Sequence, residues 1–132
     1  MPTREFTVKT EEDAYNLCAS VRFIGADVLV AIWGGERPHI GAVAVGLPRP
    51  SLRDPAVTSS SASVFCLVGH KEDELAKATA EIMAATLKTQ VVVTAGIHWD
   101  NLSQEAIEHI VQHSEILVDK ITARCLTELE SL

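Results

Sequence analysis

Polar and hydrophobic residues alternate along two stretches near the start of the chain. In residues 4–9, Phe6 and Val8 are separated by polar neighbours, and residues 17–24 repeat the pattern. This period of two predicts half-exposed strands, the first of them at the edge of a sheet. A Gly-Ala-Asp turn and a continuous apolar run over residues 28–33 follow. The first third of the chain is therefore predicted to form an antiparallel meander.

Residues 40–47 are predicted to be the apolar strand around which the rest of the chain is organised. His39 precedes this stretch, and residues 48–63 after it are rich in Pro, Ser, Arg and Asp. We interpret residues 48–63 as a loop of about fifteen residues, longer than most connections and therefore a candidate for function. Prolines stiffen it, which lowers the entropy cost of holding side chains ready for a ligand.

Two strand–helix units are predicted in the remaining chain. Residues 64–68 and 91–97 are apolar strands, joined through a helix over residues 72–88 that is long enough to connect parallel strands. This helix has an apolar stripe of Leu75, Ala78, Ile82 and Ala85. Ser103 has the position of an N-cap. The helix that it opens has one apolar face, made of Ile107, Ile110, Val111, Leu117, Val118, Ile121 and Cys125.

The apolar strands also predict an oligomer. Four of the six strand candidates lack clear polar alternation, which is typical of a sheet buried on both faces. Two helices cover roughly one face of a sheet that wide. We therefore expect a homo-oligomer, most simply a dimer packed sheet on sheet. A sheet curled into a half-barrel over its own core is the monomeric alternative.

Composition limits the class of protein. The 132 residues are 47% hydrophobic and 22% charged, which predicts one globular domain spanning residues 1–132. The net charge of −7 argues against non-specific binding to nucleic acid or anionic membranes. We find no secretory signal pattern and no stretch near the ~20 apolar residues of a membrane span, so we expect a soluble, cytoplasmic protein. Three dispersed cysteines fit a reducing compartment, with Cys66 and Cys125 as core residues.

Histidines are predicted to gather at one rim of the sheet. If strands 64–68 and 91–97 are parallel and strand 40–47 is antiparallel to the first of them, then His39, His70 and His98 emerge together, beside Asp100. Three imidazoles would suit a zinc ion, but no local His spacing supports one. Contacts to backbone or to an organic ligand are the favoured interpretation. His109 and His113 are predicted to lie on a solvated helix face. The segment 48–63 is expected to leave from the opposite rim, unless it folds back or meets the first rim across a dimer interface.

The segment 48–63 has the chemistry of an anion site. Arg49 and Arg53 offer forked donors for phosphate or carboxylate. Hydroxyl donors and one carboxylate accompany them, among them Ser51, Ser60 and Asp54. The alternative is a solvated surface loop whose arginines pair with Asp54, and the residues alone leave both possibilities open. No motif for serine nucleophiles, dinucleotides or P-loops is present.

Four separated motifs resemble one known family. They are PHIGAVA at residues 38–44, PRPSLRD at 48–54, GHKEDE at 69–74 and VTAGIHWDN at 93–101. Together they resemble the LpdD family, the small accessory proteins associated with UbiD-type hydroxyarylic acid decarboxylases such as gallate decarboxylase. The resemblance extends from about Ala26 to the last helix.

The resemblance implies a fold and a function. The fold is a small α+β domain similar to proteasome assembly chaperones, with a mostly antiparallel sheet of five to six strands and two helices on one face. The function is that of a non-catalytic chaperone that carries prenylated FMN for a UbiD-type decarboxylase, with a flavin prenyltransferase as a further candidate partner. Two alternatives stay open: a cofactor-free assembly module for a partner protein, and a metal-dependent hydrolase at the histidine rim.

Motif positions and side-chain chemistry together give a predicted cofactor-binding set. The basic segment would meet the phosphate, the histidines the polar edge of the ring, and Trp33 or Trp99 its face. The set is His39, Arg49, Ser51, Arg53, Asp54, Ser60, His70, His98 and Asp100. It contains no catalytic residue and no metal ligand.

Overall fold

A six-stranded sheet with two helices is the framework of the computed structural model, which describes residues 4–12, 14–67 and 72–130. The elements in chain order are β1 (Glu5–Lys9), β2 (Leu17–Ile24), β3 (Asp27–Gly35), β4 (Ala42–Pro50), β5 (Thr58–Cys66), α1 (Asp73–Leu87), β6 (Val91–His98) and α2 (Gln104–Glu130). Neither helix is long and apolar enough to cross a membrane, as far as the described ranges go.

The strand order is β1-β2-β3-β6-β4-β5, and only the β3–β6 pair is parallel. The predicted meander is confirmed, with β1 at an edge. Strands β5 and β6 both run antiparallel to β4, which lies between them, so they are parallel to each other. The connection through α1 is therefore the predicted crossover. The predicted α+β class with a mostly antiparallel sheet is confirmed.

Both helices pack on the same face of the sheet. Inward side chains alternate along every strand from β1 to β4 and along β6, and they form one core with α1 and the second half of α2. Close approach is possible at Gly46, where an added Cβ would meet the carbonyl oxygen of Ala80 on α1. The core residues contributed by the helices are Ala76, Ala80, Met83, Ala84, Leu87, Leu117, Ile121 and Cys125.

The opposite face, here called the open face, has no cover from the described chain. It consists of the outward positions of β3, β6, β4 and β5. Phe65 is 77% exposed, and Leu29, Val45 and Leu47 are exposed as well. The apolar strands predict a sheet that is buried on both faces, whereas the chain alone covers only one of them. The full set is Asp27, Leu29, Ala31, Trp33, Gly35, Val92, Thr94, Gly96, His98, Val43, Val45, Leu47, Arg49, Ser59, Ser61, Ser63 and Phe65.

The prediction of a long loop over residues 48–63 is wrong. Strand β4 continues to Pro50 and β5 begins at Thr58, so the loop comprises only residues 51–57. β4 pairs with β6 only as far as Gly46, and beyond it has β5 as its one neighbour. Proline lacks the N–H that a ladder needs, but it is tolerated where a strand has a free side. That is why a proline-rich sequence is a strand here.

The prediction that Cys66 is a core residue is also wrong. It ends β5, the second edge strand of the sheet, and is exposed. Most of β5 has the same exposure, although the sequence from Val64 to Leu67 is apolar. Cys125, by contrast, is buried in the core as predicted. Because an edge strand has fewer neighbours, its apolar residues do not imply burial.

Two helix faces differ from the prediction. α1 turns Ala80 and Met83 toward the sheet, whereas Ile82 of the predicted stripe is exposed beside α2. On α2, His113 is buried and not solvated, because its Nδ1 lies 2.8 Å from the carbonyl oxygen of Tyr15. The predicted cap of α2 is confirmed: Oγ of Ser103 accepts the N–H of Ala106 at 3.0 Å.

Candidate functional site

His39 and His98 meet at one rim of the sheet, as the strand directions predict. Their rings lie edge to face with centroids 6.5 Å apart. His39 precedes β4 and His98 ends β6, so the antiparallel pairing of these strands brings the two ends together. His70 lies outside the described residues. Within the described ranges, no group of three or more His, Cys, Asp or Glu side chains is placed to hold a metal ion.

Asp100 joins His98 to Arg37. Its Oδ1 lies 2.9 Å from Nε2 of His98 and accepts a hydrogen bond from Nη2 of Arg37 at 2.7 Å. The hydrogen bond with His98 and the charge of Arg37 lower the pKa of the Asp100 carboxyl. The carboxylate therefore fixes both side chains at the rim. Asp100 belongs to the predicted set, whereas Arg37 does not.

Glu72 connects the rim to α1. Its Oε1 lies 3.1 Å from Nε2 of His39 and accepts the backbone N–H of Ile97 at 3.2 Å. Nδ1 of His39 lies 3.0 Å from the carbonyl oxygen of Arg37, which can only accept, so this nitrogen donates. We refer to Arg37, His39, Glu72, His98 and Asp100 as the rim cluster.

Glycines let the backbone segments of the rim approach one another. An added Cβ on Gly96 would collide with the carbonyl group of His39, and one on Gly41 would collide with the carboxylate of Glu72. Gly35, at φ 93°, turns the chain so that the N–H of Glu36 donates to the carbonyl oxygen of His98 at 2.7 Å. These glycines permit backbone contacts that larger residues would prevent, and the contacts position the side chains of the rim.

A groove between α1 and α2 begins beside the rim cluster. Its first part has a volume of about 390 Å³ and its second part about 370 Å³. The walls are mostly apolar, and every charged side chain that lines the groove in the described chain is acidic or is His98. The lining residues include Glu74, Ile82, Ile107, Val111, Glu115 and Asp119.

Arg49 lies at the other end of β4, on the open face. Its Nε donates to Oγ of Ser61 at 2.7 Å, and Nη1 donates to the carbonyl oxygen of Pro50 at 3.1 Å. Ser59 is its cross-strand partner on β5. The guanidinium is half-buried among hydroxyl groups. One of the open-face positions carries a carboxylate: Asp27, at the start of β3, two strands away from β4.

The other predicted residues of this region have mainly local contacts. Oγ of Ser51 accepts the N–H of Arg53, and Oδ1 of Asp54 accepts the N–H of Ala56, so both shape the loop 51–57. Arg53 is exposed on that loop. Ser60 points to the opposite face, where its Oγ donates to the carbonyl oxygen of Glu81 on α1 at 2.6 Å. Of the predicted loop residues, only Arg49 lies on the open face.

The predicted set is divided between the two ends of β4. His39 and Arg49 are ten residues apart along an extended chain, which corresponds to about 33 Å. That distance exceeds the length of one FMN molecule. The sequence prediction overlooked Arg37, Glu72 and Ser61. Arg37 and Glu72 each lie within two residues of a predicted histidine, and that proximity was the available signal.

Comparison with known proteins supports the resemblance found in the sequence. Residues 11–126 match the family model of the prenylated flavin chaperone LpdD-like domain. The chain belongs to this family. It is similar to Protein LpdD of Lactiplantibacillus plantarum, with 29% identity over 101 residues, covering 76% of this chain and 71% of that protein. Membership of the family supports a flavin chaperone role.

The fold of this LpdD-like chain also matches a solved structure. A chain of a chaperone complex for yeast 20S proteasome assembly superposes with a TM-score of 0.55 at 14% identity, covering 96% of this chain and 99% of that one. The predicted similarity to proteasome assembly chaperones is therefore confirmed at the level of the fold. At this identity the likeness concerns the fold alone.

Proposed function

We propose that this protein binds prenylated FMN and delivers it to a UbiD-type hydroxyarylic acid decarboxylase without catalysing the decarboxylation itself. The observation that carries the proposal is the position of Arg49. It is a half-buried arginine among serine hydroxyls, on a mostly apolar sheet face. Membership of the prenylated flavin chaperone family supports the choice of ligand.

The phosphate group is expected at Arg49. A guanidinium presents paired donors that match phosphate oxygens, and hydroxyl groups add further donors. Nε and Nη1 of Arg49 are directed by Ser61 and Pro50, so the side chain is held in place before a ligand arrives. Such preorganisation reduces the entropy cost of binding. The inter-helix groove is the weaker candidate, because the carboxylates of Glu72 and Glu74 in its lining would repel a phosphate.

The ring system is expected on the apolar part of the open face. Leu47, Val45 and Val43 continue from Arg49 along β4, and Phe65 on β5 lies opposite Val43. Flat aromatic ligands gain free energy from covering such side chains and from contact with an aromatic ring. An exposed face also suits a carrier, since a receiving enzyme can reach the flavin. A flavin prenyltransferase is the proposed source of the ligand.

The decarboxylase is expected to dock on the inter-helix groove. Three apolar side chains are exposed there: Ile82, Ile107 and Val111. Exposed apolar residues grouped in this way usually mark a surface that contacts a partner. Glu74, Glu115 and Asp119 flank them. An apolar segment of the enzyme with Lys or Arg beside it would therefore match the groove. This docking surface would also serve the alternative function, a cofactor-free assembly module.

Binding is tested by incubating the protein anaerobically with prenylated FMN, with FMN in a parallel sample, followed by size-exclusion chromatography. We expect flavin absorbance in the protein peak for the wild type and its loss for Arg49→Ala. Arg22→Ala is the matched control, because Arg22 is exposed on β2 and pairs with Glu5. A folded wild-type protein that elutes without flavin would overturn the proposal and favour the assembly module.

Delivery is tested by adding the loaded protein to a cofactor-free UbiD-type decarboxylase and measuring the release of CO2. We expect Ile82→Asp to keep flavin binding and to slow activation. Ile24→Asp is the control, because Ile24 is an equally apolar residue exposed at the far end of β2. Equal activation by both variants would exclude the groove as the docking surface. Decarboxylation by the loaded protein alone would contradict the non-catalytic role.

A further inference from the structure

We propose that two copies of this chain pair edge to edge through β5, so that their sheets join into one continuous sheet. The inference goes beyond the proposed function and does not depend on it. It starts from the difference between the two edge strands of the sheet. β1 has five residues and carries a charge at each end, on Glu5 and Lys9. β5 has nine residues and carries no charge.

The outer edge of β5 lacks the features that keep edge strands from pairing. Charged side chains, prolines and bulges are the usual protection. β5 contains none of these residues, and each of its positions from Thr58 to Cys66 has its own partner on β4. Among the described strands, only β4 lies beside it. A long, regular and uncharged edge is therefore available to a further strand.

The backbone groups at this edge belong to alternate residues. The N–H of Leu67 donates to the carbonyl oxygen of Gly41, which continues the ladder between β4 and β5. Because bonded pairs alternate along an antiparallel ladder, the odd-numbered residues of β5 bond to β4 and the even-numbered ones direct their N–H and C=O groups outward. The outward residues include Thr58, Ser60, Ala62 and Val64. A second copy can pair only in a register that sets even-numbered residues opposite one another.

A two-fold axis at Ala62, the middle residue of β5, pairs the whole strand with its copy. It sets Ser60 opposite Val64, and each end of the strand opposite the other. The residues just beyond the ends, Val57 and Leu67, then lie opposite each other as well. Both are apolar, and their exposed fractions are 53% and 43%. The pairing therefore removes apolar side chains from water at both ends of the interface.

The helix α1 extends the contact beyond the strands, because it lies over both β4 and β5. Gly46 of β4 fits against Ala80 of this helix. Ser60 of β5 donates to the carbonyl oxygen of Glu81 at 2.6 Å. Since strands are about 4.8 Å apart, the helix axis lies about 5 Å from the line where the two β5 strands meet. The two copies of α1 are then about 10 Å apart, which is an ordinary distance for packed helices.

Charges on α1 are complementary between the two copies. Lys77 and Glu81 are one turn apart on the side of the helix above β5, and Nζ of Lys77 lies 3.9 Å from Oε1 of Glu81. The two-fold axis makes the helices antiparallel, so Lys77 of each copy lies near Glu81 of the other. Opposite charges therefore meet across the interface, which favours this partner and this orientation.

The interface reaches the size of a specific one. The nine residues of β5 extend over about 30 Å, and a sheet with one helix layer is about 20 Å deep. These dimensions give roughly 600 Å² on each copy, or about 1,200 Å² in total, which is the lower limit for stable interfaces. The two-fold axis is perpendicular to the sheet, so both open faces lie on the same side of the dimer and stay accessible to a ligand.

Sedimentation equilibrium over a dilution series measures the association and its dependence on this edge. We expect a dimer for the wild type and at least tenfold weaker association for Val64→Pro, which removes an outward N–H. Proline is tolerated where the N–H of an edge strand faces solvent, so the variant should keep its circular dichroism spectrum. Thr7→Pro is the matched control, because the N–H of Thr7 faces outward on the other edge strand. It should leave the association unchanged.

A cross-link tests the register. The axis at Ala62 sets Thr58 opposite Cys66 of the second copy, with Cα atoms about 5.5 Å apart, a distance that a disulfide spans. With oxidised glutathione as the oxidant, Thr58→Cys should therefore give a covalent dimer on a non-reducing gel. Ser59→Cys is the matched control, because this position lies opposite Phe65 of the second copy and on the other face of the sheet. It should give no covalent dimer.

Each outcome decides the proposal. A wild type that sediments as a monomer would overturn it. A dimer that Val64→Pro leaves intact and that Thr58→Cys does not cross-link would overturn it as well, since the second copy then lies on another surface. Flavin binding is decided separately, because Arg49 takes no part in this interface. A wild-type protein that binds no flavin but forms the cross-linked dimer would refute the proposed function and support this interface.

Discussion

The Glu72 carboxylate lies 3.1 Å from His39, which precedes β4, and holds the backbone N–H of Ile97 on β6 at 3.2 Å. Glu72 itself precedes α1, so one side chain joins two strands and a helix. We expect Glu72→Ala to lower the free energy of unfolding by about 1–3 kcal/mol, because the Ile97 N–H loses its acceptor in a half-buried position. Urea denaturation followed by circular dichroism measures the change.

Glu74→Ala is the control for this prediction. Glu74 lies two residues after Glu72, in the first turn of α1, and is exposed. It should change the stability by less than about 0.5 kcal/mol. Equal effects of the two substitutions would show that Glu72 acts only through the charge of the helix N-terminus and not through its contacts to the strands.

Gly46 sets the distance between α1 and β4. An added Cβ would collide with the carbonyl group of Ala80, and backbone cannot move aside as a flexible side chain does. We expect Gly46→Ala to lower the free energy of unfolding by about 3 kcal/mol, at the upper end of the range for overpacking. Thermal and urea unfolding measure the loss.

Gly25→Ala serves for comparison with Gly46→Ala. A Cβ on Gly25 would meet no atom within 4 Å, so the loss of stability in Gly25→Ala reflects only the backbone φ of +61°. We expect about 1 kcal/mol for it. A Gly46→Ala protein as stable as the wild type would refute the close contact between α1 and β4.

Asp100 is expected to respond to pH through its neighbours. In the folded protein the pKa of the Asp100 carboxyl is lowered, first by the hydrogen bond with His98 and then by Arg37. The contribution of this carboxylate to stability is therefore present above the ordinary aspartate pKa of about 3.9. The contribution is lost as the pH falls below that value toward the lowered pKa. We expect Arg37→Ala to raise the pKa of Asp100 toward the ordinary value in a carboxyl NMR titration.

Arg53→Ala is the control for this titration, because Arg53 lies on the loop 51–57 at the far end of β4. The titration of Asp100 should not change in that variant. An Asp100 that titrates in the wild type at the ordinary value would contradict the geometry of the rim cluster.

Cys66 and Cys125 are expected to differ in reactivity. Burial, with the neighbouring charge of Glu128, raises the pKa of the Cys125 thiol to about 12, and the thiolate is the reactive form. Cys66 is exposed. Iodoacetamide at pH 8, followed by mass spectrometry, should label Cys66 readily and Cys125 only in denaturant. Rapid labelling of Cys125 in the folded protein would show that the core opens around the second half of α2.

The local patterns of the sequence were sufficient for most of the elements. Alternation along residues 17–24 gave β2 at its observed bounds, and Ser103 gave the start of α2. The prolines of residues 48–50 misled the prediction, since proline is a loop signal in sequence and an edge-strand residue in this sheet. Only the pairing of β4 with β6, which ends at Gly46, distinguishes the two.

The candidate site was predictable in part. The strand directions that follow from the crossover brought His39 and His98 to one rim, and they met there. They could not show that Glu72 reaches His39, because this contact depends on where α1 begins over the sheet and on Gly41 leaving space. The burial of His113 was not predictable either, since its partner Tyr15 is 98 residues away.

The sequence by itself determined most of the elements, the class of the fold and the resemblance to the LpdD-like family. These depend on periodicity, capping and motifs within a few residues, where local stereochemistry decides. The tertiary structure alone decided which apolar strand face stays open, and that Arg49 and the histidines lie at opposite ends of β4. Both depend on the order and register of strands distant in sequence, which no local pattern encodes.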